Sequence, residues 1–136
     1  MARGEQDCDR PTWRRMIDAH TFDVYQPDVL YLGGIHRARQ VGKMAEAAGR
    51  PCLPHSANLS WATVFTIHLM GAMPNGGGFV EWSIEGPDYY PWQYGVYGPF
   101  PVAIDGHVQI PEGSGWGVEV RPAWLEQSEY TVSERS

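Results

Sequence analysis

The chain has 136 residues, 43% hydrophobic, 19% charged and 12% aromatic, with a formal net charge of −6. That is one ordinary domain's length and too short for a complete α/β barrel, which takes roughly 200–250 residues. Residues 62–73 form the longest mostly apolar run, interrupted by His68 and short of the ~20 residues that span a bilayer, and residues 1–5 lack the apolar core of a signal peptide, so a cytoplasmic protein is expected.

Two cysteines, Cys8 and Cys52, make neither a disulfide framework nor a CxxC metal pair, and they read as free thiols. Eight of the ten Lys and Arg residues precede position 51, and none lies between Pro51 and Val120, where six acids fall instead. No basic groove for nucleic acid is visible.

In chain order the pattern alternates. Asp9 and then Pro11, at a favourable first-turn position, open a predicted helix over residues 12–19. Residues 23–28 follow as a short buried strand that Pro27 brings to an end. Gly33 and Gly34 turn the chain into its strongest helix, residues 35–48. There Ile35, Ala38, Val41, Met44, Ala45 and Ala48 recur at three- and four-residue steps before Gly49 stops it.

The cycle then repeats. Residues 51–55 read as a strand leading into a loop with Ser56 and Asn58. Residues 61–73 read as a helix with Trp61, Val64, Phe65, Leu69 and Ala72 on one face. Pro74, Asn75 and three glycines break it before a last strand over residues 79–84. Strands and helices alternating with connections this long imply an α/β fold with parallel pairing and right-handed crossovers.

Beyond Glu85 the character changes. Residues 74–136 hold ten glycines and seven prolines, and eight aromatics fall within residues 79–100. Residues 102–104 and 107–110, joined by Asp105-Gly106, carry the clearest hairpin signal, and residues 115–120 suit one more strand.

In parallel α/β architecture, chemistry gathers where strands end and loops begin. Glu5, Asp28, His55 and Glu81 fall at four such points, at spacings of 23, 27 and 26 residues, close to one βα unit each. Adjacent parallel strands lie about 4.8 Å apart, so these side chains are able to converge. A histidine beside an aspartate is a general-base pair in which the carboxylate fixes the tautomer and raises the basicity of the ring. Glu5 suits a Mg²⁺ ligand, and Glu81 beside Trp82 suits a protonated donor to a developing oxyanion. Each also has a plainer reading: a structural histidine, an Asp28 that caps a turn, a solvent-facing Glu81, a frayed Glu5. His68 is assigned to helix packing, and His20, His36 and His107 to surface or turn positions.

At these residues the chain resembles the C-terminal part of the enolase superfamily, in its mandelate racemase and muconate lactonizing enzyme branch. The motifs that carry the resemblance are Gly4-Glu5-Gln6-Asp7, Gln26-Pro27-Asp28 with Gly33-Gly34-Ile35, Pro54-His55-Ser56, His68-Leu69, Ala72-Met73-Pro74-Asn75, Glu81-Trp82 and the closing Gly115-Trp116-Gly117-Val118. Their ordered combination covers nearly the whole chain.

The resemblance implies a partial TIM-like (β/α)7β barrel running from the end of the fifth strand through the eighth. Residues 1–98 would form this barrel part, and residues 99–136 a hairpin-containing tail that packs on a cap domain. By motif match Glu5 resembles the last of three Mg²⁺ ligands, and Asp28 and His55 resemble a dyad in which His is the acid/base and Asp orients it. Glu81 resembles the acid that stabilises the enolate. Superfamily members use a Lys or His base with Mg²⁺ stabilising an ene-diolate.

The implied chemistry is abstraction of a proton α to a carboxylate, followed by dehydration or by racemisation. Dehydration of a sugar acid is favoured because the dyad histidine can serve as the acid that assists the leaving hydroxide, and the polar aromatic stretch at residues 89–97 suits a hydroxylated substrate. The other two metal ligands and a lysine motif of the family have no counterpart in the chain, so it is expected to be inactive alone. It would need an N-terminal half or a homo-oligomeric partner. The alternative is a non-catalytic remnant acting as a binding or interaction module, or without function.

Overall fold

The computed structural model describes residues 1–134 apart from Pro87 and Trp92. Trp92 is one of the aromatics of the 89–97 stretch, and it and the last two residues of the expected tail lie outside the described residues.

Strand β1 (Ala2–Arg3) leads through a turn into α1 (Arg10–Asp18). The Asp9 side chain accepts from the Thr12 amide at 2.9 Å, capping the helix, and Pro11 costs nothing in a first turn whose amides lack intrahelical partners. Trp13 and Ile17, one turn apart, are buried on the inner face. Strand β2 (Val24–Tyr25) then pairs parallel with β1, Ala2 opposite Val24 and Arg3 opposite Tyr25.

Helix α2 (Ile35–Ala47) buries Ala38, Val41, Gly42 and Ala45 and leaves Ile35, Met44 and Ala48 half-buried, as the periodicity predicts. It ends in a Schellman turn: Gly49, at φ +67°, donates to the Glu46 carbonyl at 2.9 Å and Arg50 to that of Ala45 at 2.9 Å. Cys52 and His55 extend the parallel layer as single bridges opposite Tyr25 and Asp28. The parallel order is therefore β1, β2, then residues 51–55, as expected.

Helix α3 (Trp61–Gly71), capped by Ser60, buries Thr63, Val64, Thr66, Ile67 and Leu69. Val64 and Leu69 are buried as expected, and the rest of the expected face is corrected. Trp61 and Phe65 are only half-buried, with ring centroids 5.0 Å from those of Tyr97 and Trp116, and Ala72 is exposed. The aromatic side of the helix is covered by the tail, and its threonine-rich side turns inward.

Residues 79–84, expected as a strand, form none and make no backbone–backbone hydrogen bond among the described residues. Their only polar ties to the 51–56 segment run through the Glu81 side chain. The alternating pattern was present, but a strand exists only where a neighbour supplies its ladder.

In the tail, β3 (Tyr97–Gly98) is followed by a hairpin of β4 (Ala103–Ile104) and β5 (His107–Val108). Asp105 and Gly106 both have positive φ, +49° and +74°, as a type I′ turn requires. Of residues 115–120 only β6 (Glu119–Val120) is extended and paired, antiparallel to β3, and a short helix α4 (Pro122–Glu126) follows that the periodicity did not indicate.

The core is built by the first half of the chain: Trp13, Ile17, Tyr25, Val29, Leu32, Ala38, Val41, Ala45, Cys52, Leu69 and Met73 form one buried cluster. Trp13 meets Tyr25 edge-on at 6.3 Å and 65°, a geometry worth about 0.5–1.5 kcal/mol beyond area burial. Among the described residues the fold is thus a mixed α/β layer with few strands and no closed barrel.

Candidate active site

Glu5 lies just beyond β1, and the backbone before it is fixed by shape. Gly4 has φ +117°, and a Cβ there would stand 2.4 Å from Cη2 of Trp13, so only glycine fits against the indole. The indole Nε1 in turn donates to the Asp7 carbonyl at 3.0 Å, closing the turn around Glu5. The Glu5 carboxylate accepts from the Gly4 amide at 3.1 Å. It is held below the usual carboxylate range chiefly by its own backbone N–H, against partial burial that pushes it up; the Gly4 amide, His55 and Arg3 lower it further.

Asp28 is buried beside the β2 end, and its backbone bridges that of His55. Its carboxylate faces its own loop: Oδ1 accepts from the Leu30 amide at 2.6 Å and the Tyr31 amide at 3.0 Å. This is the turn-capping pattern of an Asx turn.

His55 is anchored by its amide, which donates to the Pro27 carbonyl at 3.1 Å. Its Nδ1 lies 2.6 Å from Oε2 of Glu81, with the His55 side chain 21% and the Glu81 side chain 42% exposed. The same Oε2 accepts from the Ser56 amide at 2.8 Å. The loop is tied to α3 by Ser56 Oγ, 3.0 Å from Thr63 Oγ1, while the Thr63 hydroxyl donates to the Asn58 carbonyl.

The end of the 51–55 segment and the unpaired 79–84 segment therefore bring His55 and Glu81 into direct contact, with the Asp28 backbone alongside. Glu5 is within electrostatic reach of His55. Ser56 is the residue whose part sequence reasoning missed. It sits in the Pro54-His55-Ser56 motif, but a backbone donor leaves no side-chain signature. Gln93 was missed as well: fully buried, it accepts from the Leu59 amide at 3.0 Å and donates to the Glu85 carbonyl at 3.3 Å, holding the segment after Glu81 against the loop before α3.

The remaining candidates are structural. His68 lies on α3 with its Nε2 2.9 Å from the Trp116 carbonyl, His20 is exposed at a turn, and His107 is exposed in β5 beside the hairpin turn. Both cysteines are free; Cys8 is exposed, and burial pushes the Cys52 thiol up to about 12. A groove of about 570 Å³ between α3, the glycine loop and the hairpin, lined by Met70, Phe79, Trp82 and Ile110 among others, contains none of the four strand-end residues. Among the described residues no helix is long and apolar enough to cross a membrane.

Mg²⁺ takes its ligands as several oxygens in near-octahedral array. Among the described residues no group of three or more His, Cys, Asp or Glu is arranged to hold a metal ion. Glu5 offers a single carboxylate, so the described residues do not by themselves make a Mg²⁺ site.

A family model described as Enolase C-terminal domain-like matches residues 1–124. An L-rhamnonate dehydratase of Saccharopolyspora erythraea is 27% identical over 125 residues, which are 90% of this chain and 30% of that protein. A crystal structure from Roseobacter denitrificans, provisionally named a racemase, is 56% identical with a TM-score of 0.91, over 98% of this chain and 37% of that one. An enolase from Pantoea ananatis, crystallised with bound D-gluconate and Mg, shares the fold with a TM-score of 0.76 at 21% identity, over 93% of this chain and 30% of that one.

The chain thus spans about a third of the length of these relatives. With its parallel strand ends and its match to the family model, the chain belongs to the enolase superfamily, in the mandelate racemase and muconate lactonizing enzyme branch, over a portion of its C-terminal TIM-like barrel domain.

Proposed function

We propose that this chain is the proton-handling part of an acid-sugar dehydratase or racemase, with His55 as the acid/base. The carrying observation is the 2.6 Å contact of His55 Nδ1 with Glu81, at the strand end that adjoins Asp28. A relative named for L-rhamnonate and a fold neighbour holding D-gluconate support a hydroxylated carboxylate as substrate.

With Nδ1 engaged, Nε2 is the position on a neutral ring that takes a proton. Nε2 removes the proton from the carbon next to the substrate carboxylate, and the C–H electron pair moves into an enediolate. In dehydration that pair expels the β-hydroxide, the imidazolium protonates it to water, and the enol left behind becomes a 2-keto acid. In racemisation the imidazolium keeps its proton, and an acid on the opposite face, outside this chain, protonates the same carbon. Loss of the general base removes about 10²–10⁴-fold of the rate.

The family's Mg²⁺ would take Glu5 as one ligand only, the rest coming from outside this chain. Residues 1–98 serve in this reading as barrel, and residues 99–136 as a tail toward a cap. The isolated chain is accordingly inactive.

The test is to mix the purified chain with the N-terminal half of a family dehydratase and follow 2-keto acid formation and solvent-deuterium entry at the α carbon. No turnover by the chain alone, turnover in the mixture, and its loss in His55→Asn are expected. Turnover by the chain alone, or activity indifferent to His55→Asn, overturns the reading. A second reading, a non-catalytic interaction module, draws on exposed apolar side chains such as Ile84 and Tyr130, and it gains if the mixture stays inactive.

A further inference from the structure

We propose that Gln93 is the positioning residue that delivers the Glu81 carboxylate to the end of the 51–55 segment. This rests on the reading that His55 and the groups around it handle the proton.

Glu81 needs an anchor from outside its own segment. Residues 79–84 make no backbone–backbone hydrogen bond among the described residues, so no ladder sets where they lie. Phe79 and Ile84 are 75% and 95% exposed, so burial does not fix the two ends of the segment either. Yet the carboxylate is closely placed, with Oε2 accepting from the Ser56 amide at 2.8 Å. Ordering a glutamate side chain costs rotamer freedom, and such a contact persists only where the backbone beneath it is held.

The holding point is four residues on. Gln93 is fully buried, and its side chain spans two backbone groups: Oε1 accepts from the Leu59 amide at 3.0 Å, and Nε2 donates to the Glu85 carbonyl at 3.3 Å. Neither group has a backbone partner among the described residues, and Leu59 is buried, so its amide depends on this bond. Glu85 follows Glu81 by four residues, and Leu59 follows Ser56 by three. The two ties therefore join the same pair of segments at two points, in the same direction. One buried side chain supplies what a parallel ladder would have supplied.

Gln93 is itself seated. Its own amide donates to the Tyr90 carbonyl at 3.2 Å. Four residues further on, Tyr97 packs on Trp61 at 5.0 Å and donates its hydroxyl to the Ser60 carbonyl at 3.3 Å. The anchor is thus built on the loop before α3. Glu81 stands at the acid/base group, while Gln93 touches none of the strand-end residues and sets where Glu81 stands.

Amide hydrogen exchange of the full chain, followed residue by residue by nitrogen-15 NMR, tests this without turnover. Ser56 and His55 are adjacent reporters with different partners: Glu81 holds the Ser56 amide, and the Pro27 carbonyl holds the His55 amide at 3.1 Å. Gln93→Met keeps the volume and removes both hydrogen bonds. It is expected to speed exchange at Leu59 and Ser56 by about tenfold or more and to leave His55 unchanged. Gln93→Asn keeps a buried amide that is one methylene too short to reach both groups, and the same selective change at Ser56 is expected there.

Ser56 protected as in the wild type in either folded variant overturns the proposal. So does exchange that rises equally at Ser56 and His55, or a chain that folds in neither variant, since each marks Gln93 as a residue of stability alone. These outcomes are separate from those of the acid/base reading. Ser56 exchange reports on Gln93 even if the mixed halves never turn over, and the effect of His55→Asn on turnover stands whatever Ser56 does.

Discussion

The first 73 residues and the remainder of the chain are built on different principles. The first part alternates strand and helix, and every member of the main buried cluster comes from it, from Trp13 to Met73. Among the described residues the second part has no comparable cluster. Phe79, Ile84 and Tyr130 are 75%, 95% and 89% exposed. What attaches this part is local: Gln93 bonded to the Leu59 and Glu85 backbones, Tyr97 on Trp61, and Trp116 on Phe65 and His68. Apolar periodicity makes a segment able to bury itself. Turn chemistry and aromatics alone make it conform to a surface that other residues provide.

The sharpest way to break this comparison is Trp13→Ala. Removing a fully buried indole that packs on Gly4 and Tyr25 is expected to cost about 3–5 kcal/mol, read as a fall in the urea midpoint. A loss near zero would mean that the first part has no core of its own.

Gly4→Ala comes next. A side chain at φ +117°, placed 2.4 Å from the indole, carries backbone strain and a clash together worth about 3 kcal/mol, and it displaces Glu5. Circular dichroism of α1 and the denaturation midpoint check it. In the second part, Ile84→Ser is expected to change stability by no more than about 0.5 kcal/mol, as for other exposed positions. A cost several times larger would show the tail contributing to the core.

The smallest effect is chemical. At pH 8 a thiol reagent is expected to modify one cysteine per chain quickly, the exposed Cys8. Cys52, whose thiol burial pushes up to about 12, should react only at the rate of unfolding. Two fast-reacting thiols would show that the first part opens readily.

Much of the molecule was legible before any tertiary contact was known. Asp9 with Pro11 announced α1, the 35–48 periodicity announced α2 and its buried face, and Asp105-Gly106 announced the hairpin, because each is decided by neighbours within a few residues. The four strand-end residues were legible as a spacing of one βα unit. The resemblance to the family was carried by the ordered motifs in which they sit.

Three things belonged to the tertiary structure. Residues 79–84 carry a strand-like pattern without a strand, since pairing needs a ladder that another segment must supply. Helix α3 is apolar on most sides, so its inward face was set by which surface the tail covers and not by its own period. Last, the sequence placed an aspartate and a glutamate near one histidine, and only packing brought Glu81 into contact with the ring. Oδ1 of Asp28 had amides two and three residues away to satisfy, whereas Glu81 had no local donor and reached across to His55 and Ser56.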